Sequence, residues 1–158
     1  MTLEFSKSGS GSFLLKASQL IKRPLPEVFD FFSKAENLEI LTPQFLNFKI
    51  VTPTPVTMNA GTIIDYKIYL RGIPLRWKSL ITSWHPPHSF IDKQIKGPYS
   101  KWEHLHSFSE TTEGTLVEDL VDYRVFGGFL VEKLFVRPDL SKIFAYRQAK
   151  LEELFPAT

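Results

Sequence analysis

Trp102, His104, His106 and Phe108 occupy alternate positions of one short segment, opposed by Lys101 and Glu103. In an extended strand alternate side chains share a face, so this spacing projects two imidazoles together from an aromatic surface. Imidazole changes charge near neutral pH, which lets such a pair hydrogen-bond a ligand or act as acid and base. The same two residues can also be held by side-chain or backbone partners and serve packing alone. Zinc would need a third protein ligand, and Asp119 and Asp92 are the available carboxylates. No spacing motif selects either, so no metal and no other cofactor is expected.

The neighbouring segments give three more faces of this kind. Val117, Asp119, Val121 and Tyr123 share one, opposed by Glu118, Asp122 and Arg124. Tyr66, Ile68 and Leu70 form another, and Leu75, Trp77 and Ile81 a third. If all four point inward, aromatic walls enclose a few polar groups, the composition of a site that orients an apolar ligand. Asp119 is either a base raised in pKa by burial, an orienter of a histidine, or half of a structural ion pair, for which Arg147 is the candidate partner. Arg147 can equally reach to water. Asp92 and Gln94 alternate with Phe90 while Ile91 and Ile95 compete for the inner face, and Gln94 is the expected pocket contact. The ligand set expected from these patterns is Tyr66, Trp77, Gln94, Trp102, His104, His106, Asp119 and Tyr123, with no catalytic residue assigned. His85 and His88 flank Pro86-Pro87 and read as exposed turn residues.

Something must position these faces. A strand from Phe13 to Ile21 precedes Pro24 and Pro26, after which Val28, Phe29, Phe31 and Phe32 give a short helix an apolar side; a second short helix covers Ala35 to Leu41. The Phe residues of the first helix either pack on a sheet or form an entrance lid. Six strands follow, at Leu46 to Val51, Thr62 to Leu70, Leu75 to Trp84, Ser89 to Ile95, Lys101 to Glu110 and Thr115 to Val125, separated by Gly and Pro turn signals. Past Gly127-Gly128 the period becomes helical, through Val136, Leu140, Ile143, Arg147, Leu151 and Leu154, with a kink or division expected at Pro138. Residues 1–12, which include SKSGSGS, read as a flexible tail, and 13–158 as one domain. A curved antiparallel sheet with one apolar face needs a cover, and only the last helix is long enough to provide it.

Composition narrows the function. The net charge of +2 gives no general attraction to nucleic acid, and Cys 0 excludes disulfides and thiolate chemistry. No apolar run approaches the roughly 20 residues needed to span a bilayer. The start of the chain lacks a secretory pattern, so a cytoplasmic location is expected. No dinucleotide fingerprint, phosphate-binding loop or Gly-x-Ser-x-Gly elbow occurs. Aromatic residues make up 14%, with Phe 14, the compositional bias of a protein that builds apolar pockets.

Several segments resemble the START-like superfamily (SRPBCC), which includes Bet v 1-like and polyketide cyclase/dehydrase-like proteins. They are Pro24-Leu25-Pro26-Glu27-Val28-Phe29 to Phe31, Leu41-Thr42-Pro43, Gly61-Thr62-Ile63-Ile64-Asp65-Tyr66, Gly72-Ile73-Pro74-Leu75-Arg76-Trp77, Gly97-Pro98-Tyr99, the Trp102 to Phe108 alternation and Ile143-Phe144-x-Tyr146-Arg147. The resemblance implies an α+β helix-grip fold, a seven-stranded antiparallel sheet curved around the C-terminal helix, with two short helices after the first strand. It also implies a cavity for a hydrophobic or amphipathic small molecule, such as a lipid, polyketide, isoprenoid or quinone-like compound. In some relatives the cavity supports cyclase or dehydratase chemistry, for which His104 and His106 would move protons. A non-catalytic interaction module using the loops at Pro53 to Pro55 and Pro86-Pro87 is the third reading, and no protein partner is specified.

Overall fold

The apolar-polar alternation of the chain becomes a single antiparallel sheet in the computed structural model, which describes residues 1–156. Its strands are β1 (Thr2–Ser8), β2 (Ser12–Ile21), β3 (Lys49–Ile50), β4 (Ile63–Leu70), β5 (Ile73–His85), β6 (Ser89–Lys96), β7 (Lys101–Thr111) and β8 (Gly114–Arg124). Their spatial order is β1-β2-β8-β7-β6-β5-β4-β3. Between β2 and β3 lie α1 (Leu25–Phe32), α2 (Asn37–Ile40) and a 3₁₀ turn at Gln44–Leu46. After β8 come α3 (Gly128–Val131), a π-helical turn at Glu132–Val136 and the long helix α4 (Arg137–Leu154).

The sheet has eight strands rather than the expected seven, because residues 1–12 are not a tail. Thr2–Ser8 pairs along its whole length with β2, from Thr2 opposite Ser18 to Ser8 opposite Ser12. Gly9-Ser10-Gly11 joins Ser8 to Ser12 as a tight three-residue turn in which Ser10 and Gly11 both take positive φ, 64° and 75°. The Gly/Ser stretch is therefore a hairpin turn. Leu3 and Phe5 on β1 pack against the main core cluster, which supplies the reason for the strand to stay. A pair of positive φ values recurs in the two-residue turn Arg71-Gly72, 50° and 79°, between β4 and β5. The expected strand at Leu46 to Val51 shrinks to Lys49–Ile50, since the 3₁₀ turn uses its first residues.

Pro24 and Pro26 frame the start of α1, where a missing N–H costs little, and Leu25, Val28 and Phe29 are its buried face. Phe29 meets Phe108 and Phe90 edge-on at 5.3 and 6.3 Å and Trp84 at 5.6 Å. It is a packing residue. Leu140, Phe144, Arg147 and Leu151, spaced 3 or 4 apart, are the buried stripe of α4. Pro138 lies in the first turn of α4 and has no N–H for the carbonyl four residues back, and the turn ahead of it has the wider π spacing. Glu132, in that π turn, is fully buried: Tyr123 Oη donates to its Oε1 at 2.8 Å, and Arg137 donates to both oxygens at 2.9 and 3.0 Å. No helix of the described residues is long and apolar enough to cross a membrane.

Candidate functional site

A chamber of about 200 Å³ lies between the inner sheet face, α4 and the two short helices. Tyr66, Trp77 and Trp102 form an aromatic wall, with Trp77 stacked on Tyr66 at 5.7 Å and meeting Trp102 edge-on at 5.4 Å. Two buried groups are satisfied on Ser79: Trp77 Nε1 donates to its Oγ at 3.1 Å, and the Tyr66 hydroxyl shares a hydrogen bond of 3.1 Å with it. Burial, followed by the nearby Asp92 charge, pushes the Tyr66 hydroxyl well above its usual range, so it stays a neutral donor or acceptor. Phe31 and Phe32 of α1 and Ile143 of α4 contribute to the opposite side of the chamber.

Strand register assembles the polar corner. Asp92 of β6 pairs across with His104 of β7, and His106 pairs across with Asp119 of β8. Side chains at diagonal positions on one sheet face are within reach of each other, and here the diagonals make the tight contacts. His104 Nε2 lies 2.7 Å from Asp119 Oδ1, and His106 Nε2 lies 2.7 Å from Asp92 Oδ2. The imidazole rings stack with centroids 3.7 Å apart, and Phe90 stacks on His106 at 4.2 Å. From α4, Arg147 Nη2 donates to Asp119 Oδ1 at 3.1 Å. His106 Nδ1 is 3.2 Å from Asp119 Oδ1 but misaligned, so it is a buried ring nitrogen without a hydrogen bond.

Burial alone would raise the Asp119 carboxyl, but the Arg147 guanidinium and the histidine contacts outweigh it and hold the group well below the usual carboxylate range. Asp92 is likewise lowered: burial opposes ionisation, and the His106 hydrogen bond with the His104, His106 and Arg147 charges prevails. The two imidazoles diverge. Burial and then the neighbouring His106 push His104 down, against the pull of the aspartates. For His106 burial also acts downward, but its contacts with Asp119 and Asp92 prevail and raise it. Two stacked imidazoles whose proton affinities are pushed in opposite directions form an arrangement suited to moving a proton.

Of the eight residues expected to touch a ligand, Tyr66, Trp77, Trp102, His104 and His106 line the chamber. Asp119 and Tyr123 share the inner face without lining it: Asp119 is taken up by the histidines and Arg147, and Tyr123 by Glu132. Gln94 is not in the chamber wall. Its Nε2 donates to the Tyr99 carbonyl at 2.8 Å and its Oε1 accepts from the Tyr99 N–H at 3.1 Å, clamping the turn that sets Tyr99 against Trp102. The residues of β6 that do face the chamber are Asp92, one alternation earlier, and Phe90 before it. Tyr99, Ser79 and Phe144 also line it, beyond the expected set. Alternation with Trp77 is the available signal for Ser79; Tyr99 sits in a turn, where alternation carries no information. His85 and His88 are exposed, as expected.

Sheet, grip helix and inner chamber together define a START-like protein of the α+β helix-grip class. The family model described as polyketide cyclase / dehydrase and lipid transport matches residues 21–145, and the chain belongs to that family. No curated protein matches it. Among solved structures it is similar to TTHA0849 from Thermus thermophilus, with 19% identity, 89% of this chain and 94% of that one covered, and a TM-score of 0.70. It is similar also to Ara h 8.0201, at 13% identity with 90% and 99% covered and a TM-score of 0.62. A third is the di-domain ARO/CYC StfQ from the steffimycin biosynthetic pathway, at 14% identity and a TM-score of 0.66; 90% of this chain aligns with 51% of StfQ. At these identities the likeness speaks for the fold.

Proposed function

We propose that the protein binds a hydrophobic or amphipathic small molecule in the chamber between sheet and α4. The observation that carries this reading is an aromatic-walled space of about 200 Å³ with Asp92, His104, His106 and Arg147 in its lining. Its size constrains the ligand. An engineered cavity of about 150 Å³ takes up benzene, whereas drug-sized ligands occupy about 300–1,000 Å³. A compact ring or single chain with one or two oxygens therefore fits the chamber as built, and a polycyclic polyketide or quinone needs Phe31, Phe32 and Ile143 to move apart. Apolar burial, at roughly 25 cal/mol per Å² before the costs of association, supplies the affinity. His104, His106 and the Tyr66 hydroxyl orient the polar end. The proposal takes the protein to be cytoplasmic, which cell fractionation checks.

The test is mass spectrometry of the native protein for a retained ligand, together with titration of a fluorescent anilinonaphthalene probe read through tryptophan quenching. Saturable binding that weakens in the chamber-filling variants Ile64→Phe and Ile68→Phe supports the reading. No retained ligand and no saturable quenching removes it.

A second reading, a cyclase- or dehydratase-type reaction, draws on two stacked imidazoles at the chamber wall whose pKa values are pushed in opposite directions. A substrate-dependent reaction that runs at full rate in both His104→Ala and His106→Ala eliminates it.

A further inference from the structure

We propose that Asp92, His104 and His106 form a two-histidine, one-carboxylate site for a divalent first-row transition-metal ion, with its open positions facing the chamber. One carboxylate oxygen and one nitrogen from each ring lie within 4.8 Å of one another, and all three residues line the cavity wall. Two imidazoles and a carboxylate on one side of an ion, with the remaining positions free, is the donor set of zinc and non-haem iron centres that take an exogenous ligand.

The ring nitrogens are already sorted for this. His104 Nε2 lies 2.7 Å from Asp119 Oδ1, the same oxygen that accepts from Arg147 Nη2 at 3.1 Å, and this contact seats the ring's N–H on Nε2. His104 Nδ1 then holds a lone pair; it has no hydrogen-bond partner among the described residues and lies 3.8 Å from Asp92 Oδ2. A carboxylate behind a ligating histidine, fixing its tautomer and orientation, is the usual support of a bound metal.

His106 supplies the second, independent observation. Its Nδ1 is buried without a hydrogen bond, 3.2 Å from the same Asp119 oxygen. An ion held by His106 Nε2 and Asp92 Oδ2 replaces the proton between them and leaves Nδ1–H as the donor facing Asp119. The orphaned nitrogen thereby gains a role, and Asp119 backs both ligands. Donors at about 2.0–2.2 Å from a tetrahedral ion stand about 3.3 Å apart. The observed separations from Asp92 Oδ2, 2.7 Å to His106 Nε2 and 3.8 Å to His104 Nδ1, bracket that spacing, so modest side-chain rotation admits the ion.

Ion binding itself needs no apolar ligand. The further role, in which an oxygen of the chamber's occupant completes the coordination sphere, rests on the ligand-binding reading above. The experiment is a Co²⁺ titration of the chelator-stripped full-length protein, followed by visible absorption, with calorimetry using Zn²⁺, both without added organic ligand. One equivalent should bind. Asp92→Asn and His104→Gln should abolish binding, Asp119→Asn should weaken it about 10–100-fold, and the double variant His85→Ala/His88→Ala should bind normally.

Nitrogen NMR of the histidine-labelled wild type avoids any dependence on variants that fail to fold: Zn²⁺ should move the ring signals of His104 and His106 and leave those of His85 and His88. Absence of stoichiometric binding, retention of full affinity in Asp92→Asn, or shifts confined to His85 and His88 would each overturn the proposal. A protein that binds Zn²⁺ but retains no ligand and ignores the anilinonaphthalene probe keeps this site and loses the ligand-binding reading; the converse loses this site alone.

Discussion

Two buried polar constellations sit under the same helix, and they are finished to different degrees. At its start Glu132 has both carboxylate oxygens engaged, by a two-pronged Arg137 and the Tyr123 hydroxyl. In the middle, Arg147 reaches a cluster in which one ring nitrogen is misaligned, another has no hydrogen-bond partner among the described residues, and the lining groups face an internal space. A closed network contributes order to the fold and leaves nothing to offer a ligand. An open one keeps donors and acceptors in reserve, which is why the second is the candidate site and the first a structural pin.

The comparison breaks most directly through the two arginines. Arg137→Met should strip a fully buried carboxylate of its cation and cost about 3–5 kcal/mol in urea unfolding. Arg147→Met should cost less, about 1.5–3 kcal/mol, because Asp119 keeps its histidine contacts. Equal or reversed losses would mean that the central cluster is as structural as the pin.

Acid sharpens the contrast in ion-free protein. Asp119 and Asp92 have folded-state pKa values below their ordinary ones, so the stability they contribute is present above about pH 4 and is lost as pH falls through the folded values. The histidines oppose each other. His104, held low, costs stability as pH drops below about 6.5, while the contribution of His106, held high, is complete below that value and fades as pH rises through its folded pKa. Unfolding at stepped pH in chelator should therefore show a shallow profile near neutrality and an acid limb that Asp119→Asn flattens. The smallest effect is expected at the aromatic wall: Ser79→Ala removes the shared acceptor of Trp77 and the partner of Tyr66, for about 1–2 kcal/mol in thermal unfolding.

Alternation alone makes most of the sheet legible. It places Tyr66, Trp77, Trp102, His104 and His106 on the inner face, where the chamber lies, because side-chain direction in a strand follows from position parity. Parity does not say how far along the sheet the space extends. Gln94 has the same parity as Asp92 but lies past the chamber's end, while Ile91 and Ile95 on the opposite face make composition a poor guide to the inner one. Nor does parity reveal cross-strand neighbours. The pairing of Asp92 with His104 and of His106 with Asp119 depends on the β6–β7 and β7–β8 registers, which are set by the turns that join those strands. The first strand escapes a sequence reading because Ser-Gly pairs serve tight hairpin turns as readily as linkers, and only the packing of Leu3 and Phe5 distinguishes the two. Glu132 escapes it because an acidic residue in a helical stretch ordinarily faces water; its burial follows from a tyrosine and an arginine brought together by the fold.

That first strand has a practical bearing on how the protein is handled. Because β1 is an outer strand of the sheet, its far side presents unpaired backbone groups, and anything fused ahead of residue 2 begins beside that margin. A purification handle rich in β-branched residues there invites chain-to-chain strand addition. A short proline-containing, charged spacer would keep neighbouring molecules apart.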